Sequence, residues 1–462
     1  MERYDLIVLG SGSAARDGAK MAAALYDAKA ALVESTRWGG SCPNVACKPT
    51  KAYLVVAELV HEVNTIAERL GIDVGPARID MARVKARKDS LTKPQPKWVE
   101  DLRGDGFDTY DGEAALIDAS TVRVGEDELT AERILIATGS RTAIPPIEGI
   151  DEIDWLDHVT ALELTELPES LLVVGAGAVG LEFGQIFARF GSRVTIVDAL
   201  DQIAPRSDTE AAQELQGALE DDGIEVALAS FVKSVRRHGN EIVATLVPRE
   251  GEGSREIRTA NVLLASGRAP NIEALNLQKL GIDRHKLGIV VDEHMRTTAE
   301  GIWAAGDVTG TYQFTPIAQY QARIAVDDMF GEDAPAADYS ILPTAIFTHP
   351  ELAGVGLTEQ EAEGCETAVH DLKYVQRASY KDERRGLYKI VYDPGSGRVL
   401  GLHVVAPNAG DIVQGFSLAL KFGATVNDLA SMHHVFPTFG EAVKATAEKA
   451  VPRMAMMAES DL

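Results

Sequence analysis

Cysteine is scarce in this chain, whose 462 residues include three. So few thiols exclude a fold held together by several disulfides, and an odd number fits a reducing compartment. Basic residues are also in deficit, with 45 against 70 acidic ones and a formal net charge of −25. Because nucleic-acid backbones and anionic membranes attract cationic surfaces, we expect neither as the main partner.

Long hydrophobic runs are missing as well. No segment reaches the roughly 18 apolar residues of a membrane span, and the N-terminus has no signal-peptide layout. We therefore expect a cytoplasmic protein. The chain is long enough for roughly two to four domains of ~100–200 residues, and its 45% hydrophobic content can supply their cores.

The N-terminal segment predicts a βαβ unit. Tyr4–Gly10 has the pattern of a short buried strand, Ala14–Asp27 that of an alanine-rich helix, and Ala30–Glu34 that of the next strand. Near-continuous apolar strands are typical of a parallel sheet that is covered on both faces. The same pattern returns over Leu171–Asp198, so the chain contains two similar nucleotide-binding folds.

The turn after the first strand, GSGSAA from Gly10, has the pattern of a dinucleotide-binding loop. Gly10 permits the tight turn, and Gly12 lets a pyrophosphate approach the backbone at the helix N-terminus. The third position needs a small residue for helix–sheet packing, which Ala15 provides. Glu34, at the end of the next strand, is placed to accept a hydrogen bond from a ribose hydroxyl.

The second loop, GAGAVG, repeats this logic with Gly175, Gly177 and Gly180. Asp198 ends the following strand, where an acid binds the ribose 2′-hydroxyl of NAD and repels the 2′-phosphate of NADP. No arginine replaces it, although Arg206 follows a few residues later. The sequence therefore favours NADH over NADPH.

Two of the three cysteines, Cys42 and Cys47, lie in the segment GGSCPNVACKPTK. Residues five apart in a regular helix are separated by ~7.5 Å of rise, whereas a disulfide requires Cα atoms within roughly 4.4–6.8 Å. A bridge therefore needs a distorted helix start, which the two prolines of the segment favour. Lys48, Lys51 and the positive helix end would lower the pKa of the thiols.

Two other interpretations of this pair remain open. The cysteines are ordinary buried residues in one. In the other they bind a metal, which is disfavoured because no CxxC pattern or nearby histidine completes a ligand set.

The rest of the chain alternates between helical and strand-like patterns. A long helix, regular once past its start, is predicted over Cys42–Leu70, and several short strands over Phe107–Ile136. After Tyr339 the pattern is typical of an α+β domain, with two strands and two helices at Leu387–Tyr392, Val399–Val405, Ala409–Phe422 and Gly440–Ala450.

Several of these motifs together resemble the class I pyridine nucleotide-disulfide oxidoreductases, an FAD family that includes dihydrolipoamide dehydrogenase, glutathione reductase and mercuric reductase. The resemblance runs nearly end to end. It rests on both glycine loops, the cysteine segment, ILIATGS at Ile134–Ser140, ASGRAPN at Ala265–Asn271, IWAAGD ending at Asp307, and IFTHPE from Ile346.

The resemblance implies an α/β fold with two Rossmann-like domains, for FAD and NAD(P), and a C-terminal α+β dimerisation domain. The FAD domain is expected at 1–149 and 265–339, the NAD(P) domain at 150–264, and the interface domain at 340–462. It also implies a homodimer with active sites shared across the interface.

Further site residues follow from the same resemblance. FAD is expected at the first glycine loop and at Gly40, Ser41, Thr138, Gly139, Gly306 and Asp307, the last of which holds the ribityl chain. The NAD site is expected to include Gly267. No metal site is expected.

The resemblance also implies a route for electrons, from NADH through the flavin to a Cys42–Cys47 disulfide. Cys47 is expected to be the thiolate nearest the flavin, and Cys42 the exchanging thiol. Lys51 and Glu182 match a lysine–glutamate pair beside the flavin ring. The alternative for Glu182 is an acid on a helix surface.

The C-terminal segment departs from the disulfide reductases of the family. There a histidine precedes the proline of an HPT-x-x-E segment and, oriented by the glutamate, serves as general acid/base for the thiol substrate. Here the segment is HHVFPTFGE, in which Glu441 is kept and Phe436 replaces the histidine. Phenylalanine cannot carry a proton, although His434 offers a substitute base through a shifted backbone.

Mercuric reductases also have a phenylalanine before that proline, since a soft metal ion bound by two thiolates needs no proton there. They end, however, in a cysteine pair, whereas this tail carries Met454, Met456 and Met457. These methionines are expected to pack or fray, and Cys365, flanked by acids, is expected to be inert.

Three functions therefore remain open. The first is a mercuric-reductase-like enzyme that reduces Hg(II) or another small thiol-reactive oxidant. The second is a dihydrolipoamide-dehydrogenase-like or other disulfide reductase. The third is a flavin-binding redox sensor with incidental quinone or oxygen reduction.

Overall fold

The computed structural model describes residues 2–451. The strands are β1 (Glu2–Tyr4), β2 (Leu6–Leu9), β3 (Ala30–Glu34), β4 (Asp108–Asp111), β5 (Ala114–Leu116), β6 (Thr121–Val124), β7 (Asp127–Ala131), β8 (Ile134–Ile136), β9 (Ser140–Thr142), β10 (Ser170–Val174), β11 (Arg193–Val197), β12 (Glu225–Ala227), β13 (Ser230–His238), β14 (Glu241–Pro248), β15 (Arg255–Thr259), β16 (Asn261–Leu264), β17 (Arg268–Pro270), β18 (Arg284–His285), β19 (Gly288–Ile289), β20 (Ile302–Ala304), β21 (Thr344–Ile346), β22 (Glu351–Gly356), β23 (Glu366–Asp371), β24 (Leu387–Tyr392) and β25 (Val399–Ala406).

The α-helices are α1 (Ser13–Tyr26), α2 (Ser41–Asn44), α3 (Cys47–His61), α4 (Met81–Ser90), α5 (Gln95–Gly104), α6 (His158–Ala161), α7 (Ala178–Phe190), α8 (Thr209–Asp221), α9 (Thr315–Phe330), α10 (Gln376–Lys381), α11 (Ala409–Lys421), α12 (Val426–Ser431) and α13 (Ala442–Ala450). None of the helices within residues 2–451 is long and apolar enough to cross a membrane.

The chain divides into two compact units, of which the first contains residues 2–50, 86–143 and 267–338. Its main sheet is parallel, with the strand order β20–β8–β2–β3–β4. All four residues of β2 are buried, because α1 and α9 cover one face of the sheet and a second apolar cluster covers the other. This arrangement explains the continuous apolar pattern of the N-terminal strand.

The predicted single strand over Tyr4–Gly10 is wrong in one respect, because it is divided at Asp5. β1 pairs with β7 in a separate sheet, whereas β2 lies in the parallel sheet. The Asp5 backbone N–H donates to the Lys29 carbonyl at 2.9 Å, and the Asp5 carboxylate accepts from the Lys29 N–H at 2.8 Å. These two bonds anchor the backbone where it passes from one sheet to the other.

The helix predicted over Cys42–Leu70 has the distorted start that was expected, but it is wrong at its other end, where α3 stops at His61. After α2 the chain leaves helical geometry at Val45 (φ −141°, ψ 2°), and α3 begins at Cys47. Pro49 falls in the first turn of α3, where a missing N–H is tolerated. At the other end, α3 gives way after His61 to a π-helical turn, where Thr65 Oγ1 donates to the His61 carbonyl at 2.6 Å.

The second unit contains residues 51–85, 144–266 and 339–451. A parallel sheet, β12–β11–β10–β16, forms around the second glycine loop, beside the antiparallel sheet β13–β14–β15. The C-terminal part is an antiparallel sheet, β21–β22–β25–β24–β23, packed with α11, α12 and α13. The α+β pattern predicted after Tyr339 is confirmed. The predicted domain bounds stay predictions.

Candidate active site

The first glycine loop has the geometry of a tight turn. Gly10 has φ +115°, and a Cβ there would lie 2.3 Å from the Ala137 carbonyl oxygen. Gly12 caps α1 without any side-chain hydrogen bond, so the first backbone N–H groups of the helix remain available to an anion. Ala15 is fully buried. The loop therefore fits a dinucleotide pyrophosphate.

Glu34 lies at the end of β3, where its carboxylate is half-buried. Its Oε1 accepts from the backbone N–H groups of Ser35, Thr36 and Arg37 at 2.9–3.1 Å. Its Oε2 accepts from Ser11 Oγ at 2.6 Å. These bonds fix a hydrogen-bond acceptor at the strand end, the position that a ribose hydroxyl requires.

Gly40 is required by close packing against the first loop. It has φ +74°, and a Cβ there would lie 2.4 Å from Gly12 Cα. The backbone before α2 therefore contacts the backbone before α1. Ser41, the first residue of α2, is exposed.

The predicted ribityl-binding residue, Asp307, follows β20 and is fixed by two side chains. Its Oδ2 accepts from Ser140 Oγ at 2.7 Å, and Arg268 Nε lies 3.5 Å from the same oxygen. The N–H of Gly306 donates to Gln321 Oε1 at 2.8 Å. Sequence reasoning missed both residues: Arg268 stands in the ASGRAPN motif but was given no role, and Gln321 belongs to no motif.

Thr138 and Gly139, after β8, are tied to Asn271. Thr138 Oγ1 donates to the Asn271 carbonyl at 2.7 Å, and the Asn271 N–H donates to the Gly139 carbonyl at 3.0 Å. Gly267 lies in this first unit, where its carbonyl accepts from the Ala143 N–H at 3.0 Å. The other predicted NAD residues lie in the second unit.

The two cysteines belong to consecutive helices of the interrupted segment. Cys42 is the second residue of α2 and is half-buried, whereas Cys47 is exposed and begins α3. Cys47 Sγ lies 3.8 Å from Oγ1 of Thr315, the first residue of α9. The positive ends of α3 and α9 favour an anion at this sulfur. The disulfide pairing stays a prediction.

The second glycine loop closes around an even tighter contact. A Cβ on Gly180 would lie 1.9 Å from the Gly175 carbonyl oxygen, whereas Gly177 faces open space. Asp198, after β11, accepts from the Ala176 N–H through Oδ2 at 2.6 Å and from the Leu200 N–H through Oδ1 at 2.8 Å. Its carboxylate is therefore fixed beside the loop.

Lys51 and Glu182 form an ion pair within the second unit. Lys51 Nζ lies 2.8 and 2.7 Å from the two oxygens of Glu182, whose side chain is buried. Glu182 Oε1 also accepts from the Phe347 N–H at 3.0 Å, and Lys51 Nζ lies 4.5 Å from the Phe347 ring centroid. Glu182 is thus not an acid on an exposed helix surface. Its role beside a flavin stays a prediction.

Two further residues of α7, Gln185 and Arg189, hydrogen-bond to the backbone of His349, and sequence reasoning missed both. Gln185 Oε1 accepts from the His349 N–H at 2.7 Å, and Arg189 Nη2 donates to the His349 carbonyl at 2.9 Å. A cavity of about 140 Å³ lies beside them and beside Lys51. The signal was the spacing of Glu182, Gln185 and Arg189, which places polar side chains on one face of an otherwise apolar helix.

The C-terminal segment turns Phe436 outward. Its side chain is 69% exposed. Glu441 Oε2 accepts from the Thr438 N–H at 3.1 Å, and Thr438 Oγ1 accepts from the Glu441 N–H at 3.2 Å. Glu441 therefore forms its hydrogen bonds within its own turn, with Thr438.

His434 lies two residues earlier, and its Nε2 is buried without a hydrogen-bond partner. Burial, with help from Lys444, lowers its pKa against the opposing charge of Glu441. The Nε2 of His434 is therefore closed to solvent.

Comparison with known families decides what this arrangement is. The family described as pyridine nucleotide-disulphide oxidoreductase matches residues 4–322, and the dimerisation domain of the same family matches residues 342–447. The chain belongs to this family. The fold class and the family inferred from the motifs are confirmed, and the protein is an FAD-dependent NAD(P)H oxidoreductase.

Several relatives of this oxidoreductase are similar over nearly its whole length. The mercuric reductase of Lysinibacillus sphaericus is 36% identical over 454 residues, which is 96% of this chain and 82% of that protein. The mitochondrial dihydrolipoyl dehydrogenase of Pisum sativum is 32% identical over 457 residues, with 96% and 91% covered.

A solved structure is similar in its fold as well. The Cu(II) complex of the HOCl-induced flavoprotein disulfide reductase RclA from Escherichia coli has a TM-score of 0.86 and 28% identity, covering 97% of this chain and 99% of that chain.

The first unit of the oxidoreductase fits FAD. Its glycine loop leaves the N–H groups of α1 uncapped, Glu34 fixes an acceptor at the strand end, and Asp307 carries a half-buried carboxylate. When bound, FAD supplies two-electron transfer between a nicotinamide and a disulfide.

The described part of the chain contains no cluster of side chains that could hold a metal ion. Within residues 2–451, no group of three or more His, Cys, Asp or Glu side chains is arranged to hold an ion. Cys365 lies in the second unit, with Sγ 3.9 Å from the Glu359 carbonyl oxygen. Met454, Met456 and Met457 lie outside the described residues.

Proposed function

We propose that this oxidoreductase passes electrons from NADH through a Cys42–Cys47 disulfide to a small thiol-reactive acceptor, with Hg(II) as the leading candidate. The observation that carries the proposal is Phe436, an exposed apolar side chain where a thiol substrate requires a proton carrier. Mercuric reductases at 34–36% identity support it, as does the structural relative described as a Cu(II) complex.

The electrons balance without a protein proton donor. NADH gives up a hydride, and Cys47 and Cys42 take up the electron pair as their sulfur–sulfur bond opens. Two thiolates then bind Hg(II), which leaves as the metal after two-electron reduction, and the disulfide forms again. The overall change is NADH plus Hg(II) to NAD⁺, Hg(0) and one proton, so Phe436 is tolerated.

Asp198 supports the preference for NADH. Its two oxygens are fixed by backbone N–H groups beside the second glycine loop, so the carboxylate cannot swing away from an incoming ribose. The 2′-phosphate of NADPH would meet this negative charge directly.

A homodimer with shared active sites is supported by the apolar surface of the C-terminal part. Within the matched dimerisation domain, Phe422 is 80%, Val435 77% and Phe436 69% exposed. Exposed apolar side chains of this size are typical of a protein interface. We expect a mass of two chains in light scattering.

Disulfide reduction is the second candidate, because Glu441 is kept and dihydrolipoyl dehydrogenases are among the relatives. Two observations count against it. Phe436 carries no proton, and the Nε2 of His434 is buried, so a dithiol cannot reach this substitute base.

The deciding experiment measures NADH oxidation with Hg(II) in excess small thiol, with lipoamide and with quinones. We expect turnover with Hg(II) and little with lipoamide. In a Phe436→His variant, lipoamide turnover should rise by about 10²-fold, since acid/base catalysis is typically worth ~10²–10⁴-fold. Val435→His, at the neighbouring exposed position, is the matched control and should not raise lipoamide turnover.

Two outcomes would contradict the proposal. High lipoamide turnover by the unmodified protein would favour the disulfide reductase. Quinone or oxygen reduction that survives a Cys47→Ser change, with no thiol-reactive acceptor used, would favour a redox sensor.

A further inference from the structure

Lys389 is a lysine in the middle of a buried strand. β24 has the sequence LYKIVY, all six of its residues are buried, and Lys389 is 1% exposed. A lysine is almost never buried this completely unless its charge is paired. The surroundings of this ammonium therefore have to supply carboxylates.

Three carboxylates surround the ammonium within the second unit. Lys389 Nζ lies 3.0 Å from Asp208 Oδ1 and 2.5 Å from Glu359 Oε2. Glu210 Oε2 is the third neighbour, at 3.2 Å. Of the three acids only Asp208 is fully buried, whereas about half of each glutamate side chain is exposed. Asp208 is therefore the acid that depends most on Lys389.

The pKa shifts of the buried pair favour the charged forms of both groups. Burial alone would lower the pKa of Lys389, but hydrogen bonds to Glu359 and Asp208 raise it overall. Burial would raise the pKa of Asp208, but the hydrogen bond and the charge of Lys389 lower it overall. Without the ammonium, Asp208 would be a buried charge with no cation, which is strongly destabilising.

Asp208 connects Lys389 to two further elements. It is the N-cap of α8, where its Oδ1 accepts from the Glu210 N–H at 3.1 Å. Its Oδ2 accepts from the N–H of Glu359, in the loop after β22, at 3.3 Å. The Lys389–Asp208 pair therefore attaches the start of α8 to the sheet of the C-terminal part.

The same aspartate ends the segment that follows β11, residues 198–208. Within this segment Ala204 has φ +44°, a left-handed conformation that costs energy for a residue with a Cβ. Its carbonyl accepts from the N–H of Ser207, the neighbour of Asp208, at 2.8 Å. Strained backbone of this kind persists only where the surrounding contacts hold it. Asp208 supplies such a contact at the end of the segment.

Ala204 in turn holds the second glycine loop. Its N–H donates to the carbonyl of Ala176, the second residue of the loop, at 2.8 Å. The Ala176 N–H donates to Asp198 Oδ2 at 2.6 Å. Both backbone polar groups of Ala176 are thus bound by the segment 198–208. A shift of this segment would therefore move the glycine loop and the strand-end acid.

We propose that Lys389 is a positioning residue for the nicotinamide cofactor. Through Asp208 it fixes the segment 198–208, and this segment keeps the second glycine loop and Asp198 in the geometry that binds the adenosine half of NADH. The inference rests on the NAD site proposed at that loop, and it does not depend on which acceptor the enzyme reduces. Lys389 acts through Asp208 and takes no part in hydride transfer.

The experiment compares two hydride donors in stopped-flow measurements of flavin reduction. NADH carries the adenosine half, whereas reduced nicotinamide mononucleotide has the same nicotinamide without it. In a Lys389→Met holoenzyme we expect the second-order rate constant for NADH to fall by about 10-fold, as when a hydrogen bond to a charged group is weakened. The limiting rate at saturating NADH should be retained. The rate constant for the mononucleotide should change by less than about twofold.

Lys373→Met is the matched control. Lys373 also belongs to the C-terminal part, but about half of its side chain is exposed, and its Nζ lies 2.9 Å from Asp371. It has the same charge as Lys389 without the contact to the segment 198–208. This variant should leave both rate constants unchanged.

A double variant, Lys389→Met with Asp208→Asn, keeps the test valid if the single variant does not fold. Asparagine removes the unpaired buried charge and caps a helix as well as aspartate does. The double variant still lacks the link to β24. We therefore expect a loss of about threefold with NADH, the low end for residues that act at a distance, and none with the mononucleotide.

Three outcomes would overturn the inference. Equal relative losses with both donors would indicate general damage to the enzyme. No loss with NADH would show that the segment 198–208 is held without Lys389. The same NADH-specific loss in the Lys373 variant would indicate that the overall charge, and not this contact, sets the rate.

Failure of the proposed function is distinguishable from these outcomes. Flavin reduction is measured with no acceptor present, so an error in the Cys42–Cys47 path would leave it unchanged. If the second glycine loop is not the NADH site, an Asp198→Ala enzyme would be reduced by NADH at the normal rate. If the inference alone is wrong, Asp198→Ala would slow reduction and Lys389→Met would not.

Discussion

Gly10 and Gly175 occupy the same place in two strand–turn–helix units, and both have φ +115°. In each unit a Cβ at this glycine would collide with a carbonyl oxygen, that of Ala137 at 2.3 Å or that of Ala265 at 2.5 Å. The two loops differ at the third position of the motif. Ala15 is accommodated in the first, whereas the second admits only Gly180. The two loops therefore share one sequence pattern but differ in whether a methyl group fits at its third position.

The acids at the strand ends differ as well. Both acids accept from their own following turn and from their glycine loop, but Glu34 is bonded to the loop through the Ser11 side chain, whereas Asp198 is bonded through the Ala176 backbone N–H. Only the first of the two βαβ folds is followed by a cysteine segment. We infer that the first βαβ fold holds the chemistry and the second holds the electron donor.

The strongest test of this division is removal of either redox thiol. Cys42→Ser and Cys47→Ser should each lower turnover of thiol-reactive acceptors by on the order of 10³-fold, because a nucleophile that acts as part of a unit has no substitute. Flavin reduction by NADH, followed by stopped-flow absorbance, should persist. Cys365→Ser is the control and should retain full turnover. Normal turnover in either serine variant would break the division.

The next largest effect is expected from Gly180→Ala. The new methyl group would lie 1.9 Å from the Gly175 carbonyl oxygen, so the loop must shift. Overpacking of this kind typically costs about 1–3 kcal/mol, and we expect a raised KM for NADH with FAD content unchanged. Calorimetry measures the loss of stability, and initial rates measure the KM for NADH. An unchanged KM would mean that the second loop is as tolerant as the first.

Asp198→Asn sharpens the comparison of the two acids. Removing the charge should raise the ratio of kcat/KM for NADPH to that for NADH by about tenfold, equivalent to ~1.4 kcal/mol. Asp201→Asn, an exposed neighbour, serves as the control. If both substitutions shift the ratio equally, general surface charge sets the preference.

The smallest effect is expected from Ala15→Gly in the first loop. Glycine in a helix costs about 0.5–1 kcal/mol relative to alanine, with no contact to relieve. The melting temperature should fall slightly, and FAD should remain bound. A loss of FAD would show that the Ala15 methyl group supports the loop directly.

The glycine loops, the strand-end acids and the α+β ending were predictable because each depends on local pattern and spacing. The break at Asp5 was not, since it depends on hydrogen bonds to Lys29 that sequence order does not reveal. Arg268 was missed although it stands in the ASGRAPN motif, because its bond to Ser140 joins segments far apart in the chain. Such a tertiary contact leaves no mark in the local pattern.

The strand order of the first unit has a consequence for synthesis. β2 and β3 leave the ribosome early, yet β8 begins at Ile134, and β20, which closes the far edge of the sheet, begins at Ile302. Asp307 and α9 come later still. The nascent chain therefore presents uncovered apolar strands until two thirds of it has been translated. The first glycine loop is synthesised before the second, but the sheet around it is completed later.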